Sequence, residues 1–299
     1  MANFGELRIG PAGWSYSDWQ GIVYPSRRPT SFRELEFLAE FYDTVEINTS
    51  FYQPIHPGSA KQWLAQISAN PRFRFSAKLW QKFTHQSQAT TEDERSVRAG
   101  LDVLSDANRL GALLIQFPFS FHYNAENLTR LKKLVHSFQD YPVVLEIRHS
   151  SWDITEFRDA LQARKIGIAN IDQPLIGCAT RPSEHATASL AYFRLHGRRY
   201  DTWFTDDPEI PRYERYNYLY SQAELQPWAE RIGRVASRTK STYIIMNNHY
   251  AGKGAVNALD LLYLLRREKL KVPEPLRTHY PHLEKIASQA TAQGMLFHE

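Results

Sequence analysis

Residues 143–152 read VVLEIRHSSW, and the way this run ends decides the fold. Val143, Val144 and Leu145 are apolar, and the polar residues Glu146 and Arg148 then follow two apart. Side chains alternate along a strand, so these two share one face. The same ending recurs in TVEINTSFY (44–52) with Glu46 and Asn48, in IGIANID (166–172) with Asn170 and Asp172, and in AYFRLHG (191–197) with Arg194 and His196. Each run places its hydrophobic body first and its polar pair last. A parallel α/β barrel has this layout, because its chemistry gathers at the C-terminal ends of its strands.

Eight strand candidates run along the chain: 7–10, 44–48, 74–78, 112–117, 143–148, 166–172, 191–196 and 242–247. Amphipathic stretches of helical period at 31–41, 58–67, 92–110, 128–138, 153–164, 224–237 and 254–265 separate most of them. Ser31 with Glu34 predicts a capping box, and Asp153 predicts a second helix cap. The sixth crossover, 173–189, holds Pro174, Gly177 and Pro182 and supports at most a short helix. A doubly wound open sheet uses the same alternation, but eight units over 299 residues favour closure. The predicted architecture is a single (β/α)8 TIM-like barrel over residues 1–265, with a degenerate sixth crossover. Residues 266–299 form a C-terminal extension, packed on the barrel or partly disordered. The long 197–226 connection has the length of a lid or binding loop.

Composition narrows the function. Charged residues make up 23% of the chain, and the net charge of +4 comes without a long single-sign run. That permits an anionic ligand without requiring nucleic acid. Cys178 is the only cysteine, which excludes an intrachain disulfide and fits a reducing cytoplasm. No secretory signal is visible in MANFGELRIG, and no apolar run has the roughly 18–20 residues a membrane span needs. The expected setting is cytoplasmic, with no membrane partner.

In a barrel the strand ends converge on one cavity. They would bring Glu46, Asn48, Lys78, Gln116, Glu146, Arg148, Asn170, Asp172, Arg194, His196, Asn247 and Asn248 together. Lys78, Arg148 and Arg194 favour a carboxylate or phosphate, because guanidinium groups bind such anions bidentately. Asn and Gln side chains suit a hydroxyl-bearing ligand. The loop after the first strand adds Trp14, Tyr16, Trp19 and Tyr24, which could stack on a sugar or base or cap the barrel. Glu46 or Glu146 would act as base and His196 as acid, while Trp14, Asn48, Lys78, Gln116, Arg148, Asp172, Arg194, Asn247 and Asn248 would bind ligand. If Glu146 pairs with Arg148 it becomes the weaker base, leaving Glu46. Glu46, Glu146, Asp172 and His196 could instead hold a divalent metal, but the nearby cations argue against it, so no metal residue is assigned and the sequence requires no cofactor.

Several of these stretches together resemble the bacterial and archaeal barrel family known as domain of unknown function 72. They are GPAGWSYSDWQGIVYP, FYDTVEINTSFYQ, FRFSAKLWQKFTH, LLIQFP, LEIRHSSW, YFRLHG and IIMNNHYAGKGAVNAL, and the resemblance runs from about Leu7 to Leu265. The resemblance implies a TIM-like barrel and supplies no reaction, substrate or cofactor. The residues matching those motifs are Trp14, Glu46, Asn48, Lys78, His85, Gln116, Glu146, Arg148, Trp152, Arg194, His196, Gly197, Asn247, Asn248 and Asn257.

The leading expectation is an enzyme acting by acid–base chemistry on a small anionic, hydroxyl-rich ligand. A metal-assisted phosphodiesterase acting on nucleic acid is the alternative, and a non-catalytic ligand-binding barrel is a third. A glycosidase fits less well, because barrel glycosidases often carry carboxylates after strands four and seven, where this chain has Gln116 and Arg194.

Overall fold

The strands found in the computed structural model, which describes residues 4–86, 88–205 and 207–288, are all parallel. They are β1 (Glu6–Pro11), β2 (Thr44–Ile47), β3 (Arg74–Lys78), β4 (Leu110–Gln116), β5 (Val143–Glu146), β6 (Gly167–Asp172), β7 (Leu190–Leu195) and β8 (Ser241–Met246). Their order is β1-β8-β7-β6-β5-β4-β3-β2. Between β1 and β2 a bridge replaces a full ladder: Ala12 opposes Glu46, and the Gly13 amide donates to the Glu46 carbonyl at 2.8 Å. A Cβ on Gly10 would lie 1.8 Å from the Thr44 carbonyl oxygen, so only glycine allows this approach. The result is the nearly closed α/β barrel expected from the sequence.

Helices α1 (Glu34–Ala39), α2 (Pro57–Gln66), α3 (Thr91–Asp106), α4 (Ala125–Ser137), α5 (Thr155–Ala163), α6 (Gln222–Ala236) and α7 (Lys253–Arg266) surround the strands. Capping boxes start α3, from Thr90 and Asp93, and α6, from Ser221 and Glu224. The capping box expected at Ser31 is absent. There α1 begins only at Glu34, whose carboxylate is taken by Arg28 at 2.7 Å. Asp153 likewise does not cap α5, because it pairs with Arg158 while Ile154 occupies the cap position. The sixth crossover has no helix at all.

Several strands stop short of the sequence pattern. Asn48, Arg148, His196 and Asn247 therefore lie one or two residues beyond their ladders, where side chains can turn across the mouth. Inside the barrel, Ala12, Ala112, Leu114, Val144, Ala169, Ile171, Leu190, Tyr192, Tyr243 and Ile245 form a separate apolar cluster. Its small residues leave room for the two tyrosine rings, as interdigitated barrel layers require. This cluster is the floor beneath the mouth.

Beyond α7 the chain forms α8 (Glu274–His279), with Leu276 and Leu283 buried. The Tyr280 hydroxyl donates to the Ala251 carbonyl at 2.6 Å. Of the extension, residues 289–299 lie outside the described residues. Among the described residues no helix is long and apolar enough to cross a membrane.

Candidate functional site

The interior residues climb each strand in steps of two. Ser76 leads to Lys78 on β3, Leu114 to Gln116 on β4, and Val144 to Glu146 on β5 and Arg148 two residues past it. Tyr192 leads to Arg194 on β7 and His196 just past it, and Ile245 on β8 to Asn247 just past that strand. The highest members of these rows meet.

Arg194 is the hub. It is fully buried and donates to Glu46 at 2.7 Å, to Glu146, and to Gln116 at 3.3 Å. Lys78 approaches the same Glu46 oxygen at 3.2 Å, while Arg148 binds Glu146 at 2.7 Å. Below, the Tyr192 hydroxyl donates to the other Glu46 oxygen at 3.0 Å and lies 2.8 Å from Ser76 Oγ. Both carboxylates are fully buried, whereas the side chains of Lys78 and Arg148 keep 11% and 17% exposure. Two cations thus face outward above a base in which Arg194 is shared between two carboxylates.

His196 sits beside this lattice, with Nε2 at 3.6 Å from Glu146. Asn247 Nδ2 donates to its Nδ1 at 2.9 Å, which leaves the proton on Nε2. That Nε2 is buried and has no hydrogen-bond partner.

Electrostatics set the resting charge of each group. Burial alone would raise the Glu146 pKa, but Arg194 and Arg148 hold it well below the usual carboxylate range. Glu46 is also lowered: burial opposes ionisation, and Arg194 and Lys78 more than offset it. Neither is a good resting base. Burial drives the His196 pKa well below its ordinary value, so it is a neutral donor rather than an imidazolium acid at neutral pH. Burial, with help from Arg194, pulls Lys78 down to about 8, although Glu46 acts the other way.

Several residues outside the assigned catalytic and binding set also frame the mouth. Gly13, at a φ of 77°, turns the chain so that the Tyr16 hydroxyl reaches the Ala12 carbonyl at 2.8 Å and receives the Asn48 side-chain amide at 2.8 Å. Tyr16 stacks on His249 with ring centres 4.5 Å apart. A π-helical turn, Lys82–Gln86, follows β3, and its His85 packs edge-on against Phe51. Such turns often mark functional positions. The 197–226 connection lays Trp203 over the mouth, 6.0 Å from the His196 ring and 5.9 Å from Arg148. Its base is pinned where Arg198 and the Tyr220 hydroxyl bind Asp172. The periodicity of an irregular loop carries no signal for Trp203.

Four expected mouth residues lie elsewhere. Ala169 and Ile171 occupy the interior, so Asn170 and Asp172 face outward from β6. Asn170 holds the sixth crossover by donating to the His185 carbonyl at 3.0 Å and accepting from the His185 amide at 2.7 Å. Asn248 turns away from Asn247 and donates to Asn257 and to the Tyr218 carbonyl. Trp14 packs on the barrel's flank against Trp63 and Phe75, because its neighbouring turn sends Tyr16 inward instead. Among the described residues no group of three or more His, Cys, Asp and Glu side chains is arranged to hold a metal ion. Glu46 and Glu146 spend their oxygens on cations and on the Tyr192 hydroxyl, and Asp172 is outside.

Fold and site together define a parallel α/β barrel whose mouth is built from a buried guanidinium–carboxylate lattice. The chain belongs to the DUF72 family, whose model, described as a protein of unknown function, matches residues 8–281. It is 27% identical over 272 residues to the UPF0759 protein YunF of Bacillus subtilis (strain 168), covering 87% of this chain and 94% of that protein. Among solved structures it is similar to a DUF72 protein of Thermotoga maritima MSB8, at 32% identity and a TM-score of 0.75, covering 87% of this chain and 99% of that one. A DUF72 protein of Enterococcus faecalis V583 shares the fold at 24% identity and a TM-score of 0.75, covering 90% and 98% of the two chains.

Proposed function

We propose that this barrel is an enzyme that binds a small carboxylate- or phosphate-bearing, hydroxyl-rich molecule at its mouth and moves protons on it. One observation carries the reading. Three cations, Lys78, Arg148 and Arg194, face two carboxylates, Glu46 and Glu146, and the surplus positive charge lies on the two outermost cations. An uncompensated charge in a largely buried site is costly, and a ligand anion relieves it. Arg148 would hold the anion, with the free Nε2–H of His196 as a neutral donor beside it. Gln116 and Asn48 would take the hydroxyls, and Trp203 would exclude water. Lys78, with Glu46 beside it, is better suited to proton transfer than either carboxylate alone.

A thermal-shift screen of phosphorylated metabolites, sugar acids and nucleotides tests the reading. The expected result is stabilisation by at least one anion, and its loss in Arg148→Ala. If no anion raises the melting temperature of the wild-type protein, the reading fails. Stabilisation without turnover of any bound compound would support a non-catalytic binding barrel instead. Binding only of nucleic acid, dependent on added divalent ions, would support the phosphodiesterase alternative.

A further inference from the structure

We infer that Lys78 is an amine nucleophile that forms an imine with the carbonyl group of the bound anion; this rests on the anionic-ligand reading of the mouth. The charge lattice is the first reason. Arg194 and Arg148 already give each carboxylate a guanidinium partner, and Tyr192 satisfies the second oxygen of Glu46. Lys78 is therefore the surplus cation, not one the lattice needs for neutrality.

Position is the second reason. Lys78 ends β3 on the interior face, where a substrate entering the mouth would meet it. Its ammonium lies 5.9 Å from the Phe51 ring, and His85 closes the wall behind that ring. An amine that is desolvated and placed near another cation is the arrangement that activates lysine for attack on carbonyls. The lowered proton affinity of Lys78 agrees with this placement.

Glu46 completes the chemistry, since its Oε1 is 3.2 Å from Lys78 Nζ. The ammonium gives a proton to solvent, as its lowered proton affinity allows, and the free amine attacks the carbonyl carbon as the C=O π pair moves to oxygen. The oxygen and nitrogen exchange protons through Glu46, giving a neutral carbinolamine. The nitrogen lone pair then expels the hydroxyl as water, the departing oxygen taking a proton from solvent. In sum, an ammonium and a carbonyl become an iminium ion and water, with no oxidant and no net proton released. The positive charge stays beside Glu46, so the lattice keeps its balance through the reaction.

Borohydride trapping tests this. The full chain is incubated with glyoxylate, pyruvate, glyceraldehyde 3-phosphate or dihydroxyacetone phosphate, reduced, and read by intact mass and peptide mapping. The expected result is a single adduct on Lys78 with at least one probe, formed about tenfold faster than on the exposed Lys61. The adduct is lost in Lys78→Arg. Because that variant could fold poorly, a second measurement uses wild-type protein: sulfate should compete with labelling of Lys78 and leave Lys61 unaffected. Absence of adduct with every probe, or labelling of Lys78 no faster than Lys61, overturns the inference. Anion-induced stabilisation without any adduct would sink the imine and leave the binding reading standing. Equal labelling of Lys78 by neutral acetaldehyde, unaffected by sulfate, would support the nucleophile and remove the anion site.

Discussion

Arg194→Met is the perturbation that probes the lattice most deeply. The side chain is fully buried and links Glu46, Glu146 and Gln116, so its loss leaves two buried carboxylates short of a partner. Removing one member of a buried ion pair costs about 3–5 kcal/mol. Lys78 and Arg148 remain in place and hold the cost toward about 3 kcal/mol. With an unfolding entropy of about 2.1 cal/mol/K per residue, a chain of 299 residues should lose about 5 °C in melting temperature. The loss should depend on pH. In the wild-type protein the two Glu pKa values are lowered, so their stabilisation is present above the unfolded value of about 4.3 and fades as pH falls through the folded values. In the variant burial acts with less opposition and raises them, so the penalty is absent at low pH and grows as pH rises through the folded values. Between about pH 5 and about pH 8 the wild-type contribution is already complete, so the variant's effect alone makes the gap between the proteins smaller at about pH 5 than at about pH 8. Thermal melts followed by circular dichroism at both values measure it. A loss under about 1 °C, or a gap that widens toward acid, would refute the reasoning.

Two further outcomes follow from the geometry. Gly10→Ala places a methyl group 1.8 Å from the Thr44 carbonyl and should destabilise by at least about 2 kcal/mol in urea unfolding; an unchanged midpoint would mean the seam is not tight. Sulfate affinity should fall about tenfold as pH rises through about 8, because Lys78 is charged below that value and neutral above it. Calorimetric titration reads this directly, and a flat profile across that range would remove Lys78 from the anion site.

The strands and their polar tips were legible because both rest on a period of two. Which face of a strand points inward was not. Asn170 and Asp172 share a face, as the spacing implies, but it is the outer one. The missing helix in the sixth crossover explains Asn170, because an extended segment covers β6 and its backbone groups need partners. The weakness of that helix was visible in the sequence and could have warned of this. Asn247 and Asn248 are adjacent, so only one could face the mouth. Trp14 and Tyr16 exchanged roles through the backbone turn at Gly13, which side-chain chemistry alone does not reveal. Trp203 came from a loop without periodicity, positioned by the Asp172 anchor at its base.

The measurement that bears most directly on the mouth as an anion site is a crystal structure of protein soaked in phosphate or gluconate. The account predicts an anion within hydrogen-bonding distance of the Arg148 guanidinium and His196 Nε2, with Lys78 Nζ beside it and the Arg194 lattice unmoved. Anions found only on the outer surface, with the mouth empty at saturating ligand, would contradict it.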